Sequence, residues 1–89
     1  MYLAKVVGVI VATTKNEALV GKKILIVQPL NTDYNPIGNS EVAIDSVGAG
    51  TGEIVLVSTG SSARQVFDEE KNPIDRAIVA IVDNIEVNN

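Results

Sequence analysis

The chain contains no cysteine, no histidine and no tryptophan. Without thiols or imidazoles it can form no disulfide, thiolate zinc site, cysteine nucleophile or imidazole base. Half of the common catalytic kit is missing. Aromatics are limited to Tyr2, Tyr34 and Phe67, too few for the stacking platform of a single-strand binder. Positive charge is scarce as well: seven Lys and Arg face eleven Asp and Glu, for a net charge of −4. The basic residues are scattered, whereas a phosphate backbone is held by clustered cations that release counterions.

No apolar run reaches the ~18 residues of a membrane helix. The apolar first dozen residues lack the basic n-region and small-residue cleavage site of a signal peptide. The expectation is a cytoplasmic protein with neither a membrane nor a nucleic-acid partner. No linker, long charge run or repeat of solenoid period divides the chain, so residues 1–89 read as a single domain.

What is abundant is β-branched hydrophobicity. Apolar residues make up 46% of the chain, with Val and Ile dominant, more than the modest core of so short a domain can hide. Tyr2 to Ala12 reads as a strand with Leu3, Val7, Val9 and Val11 on one face and Val6 and Ile10 on the other. Lys22 to Gln28 is a second strand, continuously apolar from Ile24 to Val27. A polar loop with Asn35, Pro36 and Gly38 follows over Asn31 to Asn39.

Glu41 to Asp45 is expected to place Val42 and Ile44 on one face, and Glu53 to Ser58 forms a fourth strand. Ser62 with Gln65 three residues on forms a capping box for a short helix reaching about Glu69, ended by Asn72 and Pro73. Arg76 to Val87 returns to strand. Five strands and one helix predict an all-β fold, a small five-stranded OB-like Greek-key barrel with the helix before the last strand; a sandwich is the alternative. Strands apolar on both faces call for cover from other copies of the chain.

Few segments suggest chemistry. Gly48, Ala49, Gly50, Thr51 and Gly52 look like a phosphate loop. However, a dinucleotide fingerprint needs a third Gly where Glu53 stands, and a helix rather than a strand must follow. The glycines are better read as a corner with unusual dihedrals or close backbone approach. Ser61, Ser62 and Arg64 at a helix start could hold an anion, but capping and a contact from Arg64 to a neighbour's carboxylate explain them. The acids Asp68, Glu69 and Glu70 read as solvated surface, Asp45, Asp75 and Asp83 as turn residues, and Lys15, Lys22 and Lys23 as residues flanking turns. The sequence offers no catalytic, metal or cofactor site.

Three stretches, KVVGVIVATTKNEALVGKKILIVQPL, VAIDSVGAGTGEIVLVSTGSSAR and PIDRAIVAIVDNIEV, resemble in order and spacing the EutN/CcmL vertex proteins of bacterial microcompartment shells. That resemblance implies a non-enzymatic homopentamer, an OB-like barrel capping the five-fold vertices of a shell whose facets are hexameric proteins. It implies that Gly48, Ala49, Gly50, Thr51 and Gly52 border the axial opening, with Glu53, Ser61, Ser62 and Arg64 at subunit contacts. A closed ring requires heterologous contacts, one face of each copy meeting a different face of the next, as two-faced strands would allow. The alternative function is a small OB-like module that binds a ligand or nucleic acid.

Overall fold

A computed structural model describes residues 1–13, 16–67 and 73–88. Five strands close into a barrel in the order β1-β2-β3-β5-β4: β1 (Tyr2–Ile10), β2 (Ile24–Pro29), β3 (Glu41–Asp45), β4 (Ile54–Thr59) and β5 (Arg76–Ile81). Every pairing is antiparallel except β3 with β5, so the barrel is mixed. One helix, α1 (Gly60–Val66), sits between β4 and β5. A short 3-10 turn, Glu17–Leu19, lies between β1 and β2, and the Asn16 side chain accepts the Ala18 N–H at its start.

The faces expected on β1 need correction: Val9 pairs with Leu25 and shares the face of Val6, whereas Ile10 lies on the outer face. Ala4, Val6, Leu25, Val27, Ala43, Val55, Val57 and Ile78 fill the barrel interior. On β3 Val42 and Ile44 share one face as expected; it is the outer one, and Ala43 points in. Alternation also breaks twice. The register shifts between Val6 and Gly8 on β1, leaving Val7 unpaired, and on β5 Val79 is the extra residue opposite β4. Such bulges bend a strand and raise its twist, which a barrel of so few strands requires.

A second cluster, Ile24, Ile44, Ala63, Ile74 and Ala77, lies outside the barrel, beneath α1 and flanked by Leu19 and Phe67. The chain's own helix thus covers part of the outer apolar surface that the sequence assigned to other copies. The helix docks through Ala63, its buried residue, and starts at Gly60, whose N–H bonds the Asp75 carbonyl at 2.8 Å. The expected capping box does not form. Ser62 lies in the third helical position, and Thr59 is the N-cap without a side-chain hydrogen bond. The expected helix end at Glu69 and Asn72 falls outside the described residues, as do Lys15 and the acids Asp68, Glu69 and Glu70. The last strand is also shorter than expected. The Val82 N–H bonds Ile54 at the start of β4, and beyond it there is no β4 residue left to pair.

One end of the barrel carries a polar plug. Strands β1, β3 and β5 run in the same direction, and near their starts Tyr2, Glu41 and Arg76 share the inward phase of Ala4, Ala43 and Ile78. The Tyr2 hydroxyl donates to Glu41 Oε2, and Arg76 Nε donates to the same oxygen at 2.8 Å. Burial, and then the Glu41 carboxylate, hold the Tyr2 phenol well above its ordinary value.

In the unfolded chain Tyr2 ionises near its ordinary pKa of about 10, while the folded state resists ionisation. Its contribution to stability is therefore complete below about pH 10 and declines as pH rises toward the raised folded value. Denaturant titrations between pH 8 and 11 are expected to show a steeper alkaline loss for the native chain than for Tyr2→Phe. At pH 8 the variant is expected to be less stable by about 1.5–3 kcal/mol, the range for a hydrogen bond to a charged group.

Candidate functional site

The glycine corner lies between β3 and β4, and its shape is set by two carboxylates. Asp45, at the end of β3, accepts from Val47 N (3.1 Å), Gly48 N (2.9 Å) and Ala49 N (3.0 Å). Its side chain is only 4% exposed, with Lys23 Nζ 3.8 Å away. Lys23 also donates to the Ala49 carbonyl, which lies on the same corner. Glu53 accepts the Gly50 N–H at 2.6 Å. The Val6 carbonyl takes the Gly52 N–H at 2.8 Å, and the Val6 N–H returns a bond to Glu53 O.

These bonds decide what the corner can do. The N–H groups of residues 47–50 and 52 are all satisfied from within the chain, so none of these five remains to cradle a phosphate as a backbone nest would. Ala49 is wholly buried and joins the interior cluster, sealing the barrel by packing. Thr51 stands exposed at the tip, with Gly48 and Gly52 exposed on either side.

The glycines are not equivalent. Gly48 (φ 81°) and Gly52 (φ 93°) occupy the left-handed region, which costs other residues roughly 1–2 kcal/mol. Gly50 does not; a Cβ there would meet only Glu53 Oε1, at 3.4 Å. Nothing within the subunit demands glycine at position 50.

The remaining expected site residues divide into two places. Glu53 immediately precedes β4, whereas Ser61, Ser62 and Arg64 lie on exposed faces of α1 immediately after it. Eight residues of mostly extended chain put them roughly 20 Å apart. They cannot form a single site within a protomer, and Glu53 already serves the corner. The network of Tyr2, Glu41 and Arg76 was missed from sequence because Glu41 and Arg76 are 35 residues apart and each reads alone as a surface charge.

Two shallow grooves mark the outer surface. One of about 570 Å³ has Ile10, Leu19, Ile24, Ile44 and Ile74 at its base and Glu41, Asp75 and Arg76 along its rim. The other, about 660 Å³, runs beside Leu3, Leu56, Ala80, Ile81 and Ile85. Of the five cations among the described residues, Lys22, Lys23 and Arg76 are engaged within the chain, by the Ala18 carbonyl, by Asp45 with Ala49, and by Glu41 with Asp75. Lys5 and Arg64 are exposed. No cluster of acids among the described residues is arranged to hold a metal ion.

Comparison with known proteins bears on this surface. Residues 1–83 match the family described as ethanolamine utilisation protein EutN/carboxysome. The chain is 52% identical over 89 residues to the bacterial microcompartment shell vertex protein GrpN of Rhodospirillum rubrum (strain F11), covering all of both chains. It is 49% identical to the shell vertex protein PduN of Salmonella typhimurium (strain LT2), over 96% of this chain and 98% of that one. Among solved structures, the GrpN pentameric microcompartment shell protein superposes with a TM-score of 0.88, over 98% of this chain and all of the other. The ethanolamine utilization protein EutN superposes at 0.92 with 45% identity, over 98% and 91%.

The bonding of the corner predicts a graded response to substitution. Asp45→Ala strips three N–H groups of a nearly buried charged acceptor and is expected to cost about 2–3 kcal/mol. Gly52→Ala is expected to cost about 1 kcal/mol through backbone strain, and Gly50→Ala only a few tenths. Denaturant midpoints at one fixed protein concentration check the order, because assembly makes apparent stability depend on concentration.

Proposed function

The chain belongs to the EutN/CcmL family, and from that membership we infer that it is a structural, non-enzymatic subunit of the pentamers at the vertices of a bacterial microcompartment shell. The observation that carries this reading is end-to-end identity of about one residue in two with a pentameric shell vertex protein of the same fold. Its place is the shell of a microcompartment. The partners proposed for the ring are first its own copies, then hexameric facet proteins around the vertex.

Physical features support a ring. A closed ring is made of heterologous contacts, so each subunit must offer two different apolar faces. After α1 has covered its share, Val7, Val9, Val11, Val42 and Ile81 remain exposed, and the two grooves lie on different sides of the barrel. Exposed apolar surface of this kind suits contact with other copies. A single-strand binder would need a basic groove with aromatics, whereas two of the five described cations, Lys23 and Arg76, are paired with carboxylates of their own chain.

Within the ring, the corner from Gly48 to Gly52 is proposed to approach the five-fold axis. Ala49 is tucked inward and only small residues lie outward, which suits the close approach of five backbones. Glu53 would then act by bracing the corner. Ser61, Ser62 and Arg64 would contribute to a separate contact at the α1 end of β4.

Light scattering or native mass spectrometry at low and high salt is expected to give a pentamer whose mass does not change with salt, because its contacts are apolar. A monomer under both conditions would overturn the reading. Gly50→Val tests the axis proposal, since a Cβ at position 50 meets only Glu53 Oε1 within the subunit, at 3.4 Å. Its far-ultraviolet circular dichroism should match the native chain while its mass falls below that of the pentamer. Normal assembly of Gly50→Val would remove the corner from any crowded axis.

A further inference from the structure

Among the described residues, the last stretch of backbone and the second half of the β1 edge both lack hydrogen-bond partners. Beyond Val82, among the described residues, no hydrogen bond reaches the backbone of Asp83–Asn88. Yet this tail alternates as a strand does, with Ile85 and Val87 in one phase and Asn84, Glu86 and Asn88 in the other. Ile85 is half-buried, while Val87 is 56% exposed. The family match ends at residue 83, so the tail lies beyond it.

The unpartnered edge belongs to β1. Strand β4 pairs only with Tyr2–Lys5, and the glycine corner takes the N–H and C=O of Val6. From Val7 to Ile10 the strand has β2 on one side and, among the described residues, nothing on the other. Unpaired N–H and C=O groups along an edge form a template for a further strand. This edge is also apolar: Val7 is 46%, Val9 53% and Val11 93% exposed.

We propose that the tail of one copy, Asn84–Asn88, adds as a strand to the free edge of β1, Val7–Ile10, on the next copy in the ring. The proposal rests on the pentamer reading and names the contact that links neighbours. The tail does not reach this edge within its own chain. The chain bends at Asp83, and Ile85 lines the groove beside Leu3 and Leu56. Tail and edge are different surfaces of the same chain, as a heterologous ring requires, and repeating the contact around the ring satisfies every copy. Val87 gains cover from Val7 and Val9, and Glu86 can reach Lys5 at the near end of the edge.

Because the chain has no cysteine, engineered pairs report the contact without background. V9C is combined with V87C and, to sample the other strand face, with E86C. Each double variant is oxidised mildly and run on a non-reducing gel, with native mass measured on the same sample and on the unmodified protein. One of the two pairs is expected to give a covalent ladder reaching five chains, and V9C alone none beyond a trace. A pentamer of normal mass with no ladder from either pair, or with linked monomer only, overturns the placement of the tail while leaving the ring intact. Absence of a pentamer in the unmodified protein overturns instead the reading on which the proposal rests. Deletion of residues 83–89 gives a second test: the concentration at which the ring half-dissociates is expected to rise at least tenfold, and an unchanged value counts against the contact.

Discussion

Closing five short strands into one barrel gives every strand one inward face, and the other features of this fold follow from that restriction. The interior admits only Ala, Val, Leu and Ile side chains around the Leu25 and Ile78 pair of largest residues, so the core is small. A core of this size cannot hold all the Val and Ile in the chain, and the remainder is forced onto the outer face. Bulges at Val7 and Val79 supply the curvature and at the same time reset which residues point outward.

The two ends of the barrel are sealed by different means. At one, Tyr2, Glu41 and Arg76 place polar groups where inward-pointing side chains meet solvent, and each satisfies another. At the opposite end, Ala49 enters the interior while Asp45 and Glu53 consume the backbone donors of the glycine corner. That corner is fully occupied holding itself together, which is why it resembles a phosphate loop in composition and not in capacity. A structural protein gains from such closure: what is left outward is shape and apolar surface, the materials of assembly.

The outer apolar surface is shared between two kinds of cover. Helix α1 and its neighbours shield Ile24, Ile44 and Ala77 within the chain. The second half of β1, Val42 and the groove beside Leu56 stay uncovered within the chain. This division explains how strands can be apolar on both faces: the side hidden by the helix stabilises the fold, and the open side is the one proposed for contacts in the ring.

Residue order by itself determined the number and place of the strands, the all-β class, the absence of thiol and imidazole chemistry, and the family, because each is carried by local composition, alternation or motif order. Tertiary structure alone decided which face of each strand points inward. Sequence alternation placed Val42 and Ile44 together correctly but could not say that the interior takes Ala43, since a bulge elsewhere or a covering helix reverses the meaning of a face. It also decided that Ser62 lies inside the helix, that the last strand stops at Ile81 for want of a partner, and that Tyr2, Glu41 and Arg76 meet. Those outcomes depend on contacts between residues far apart in the chain, and no local pattern encodes the register at which distant strands close.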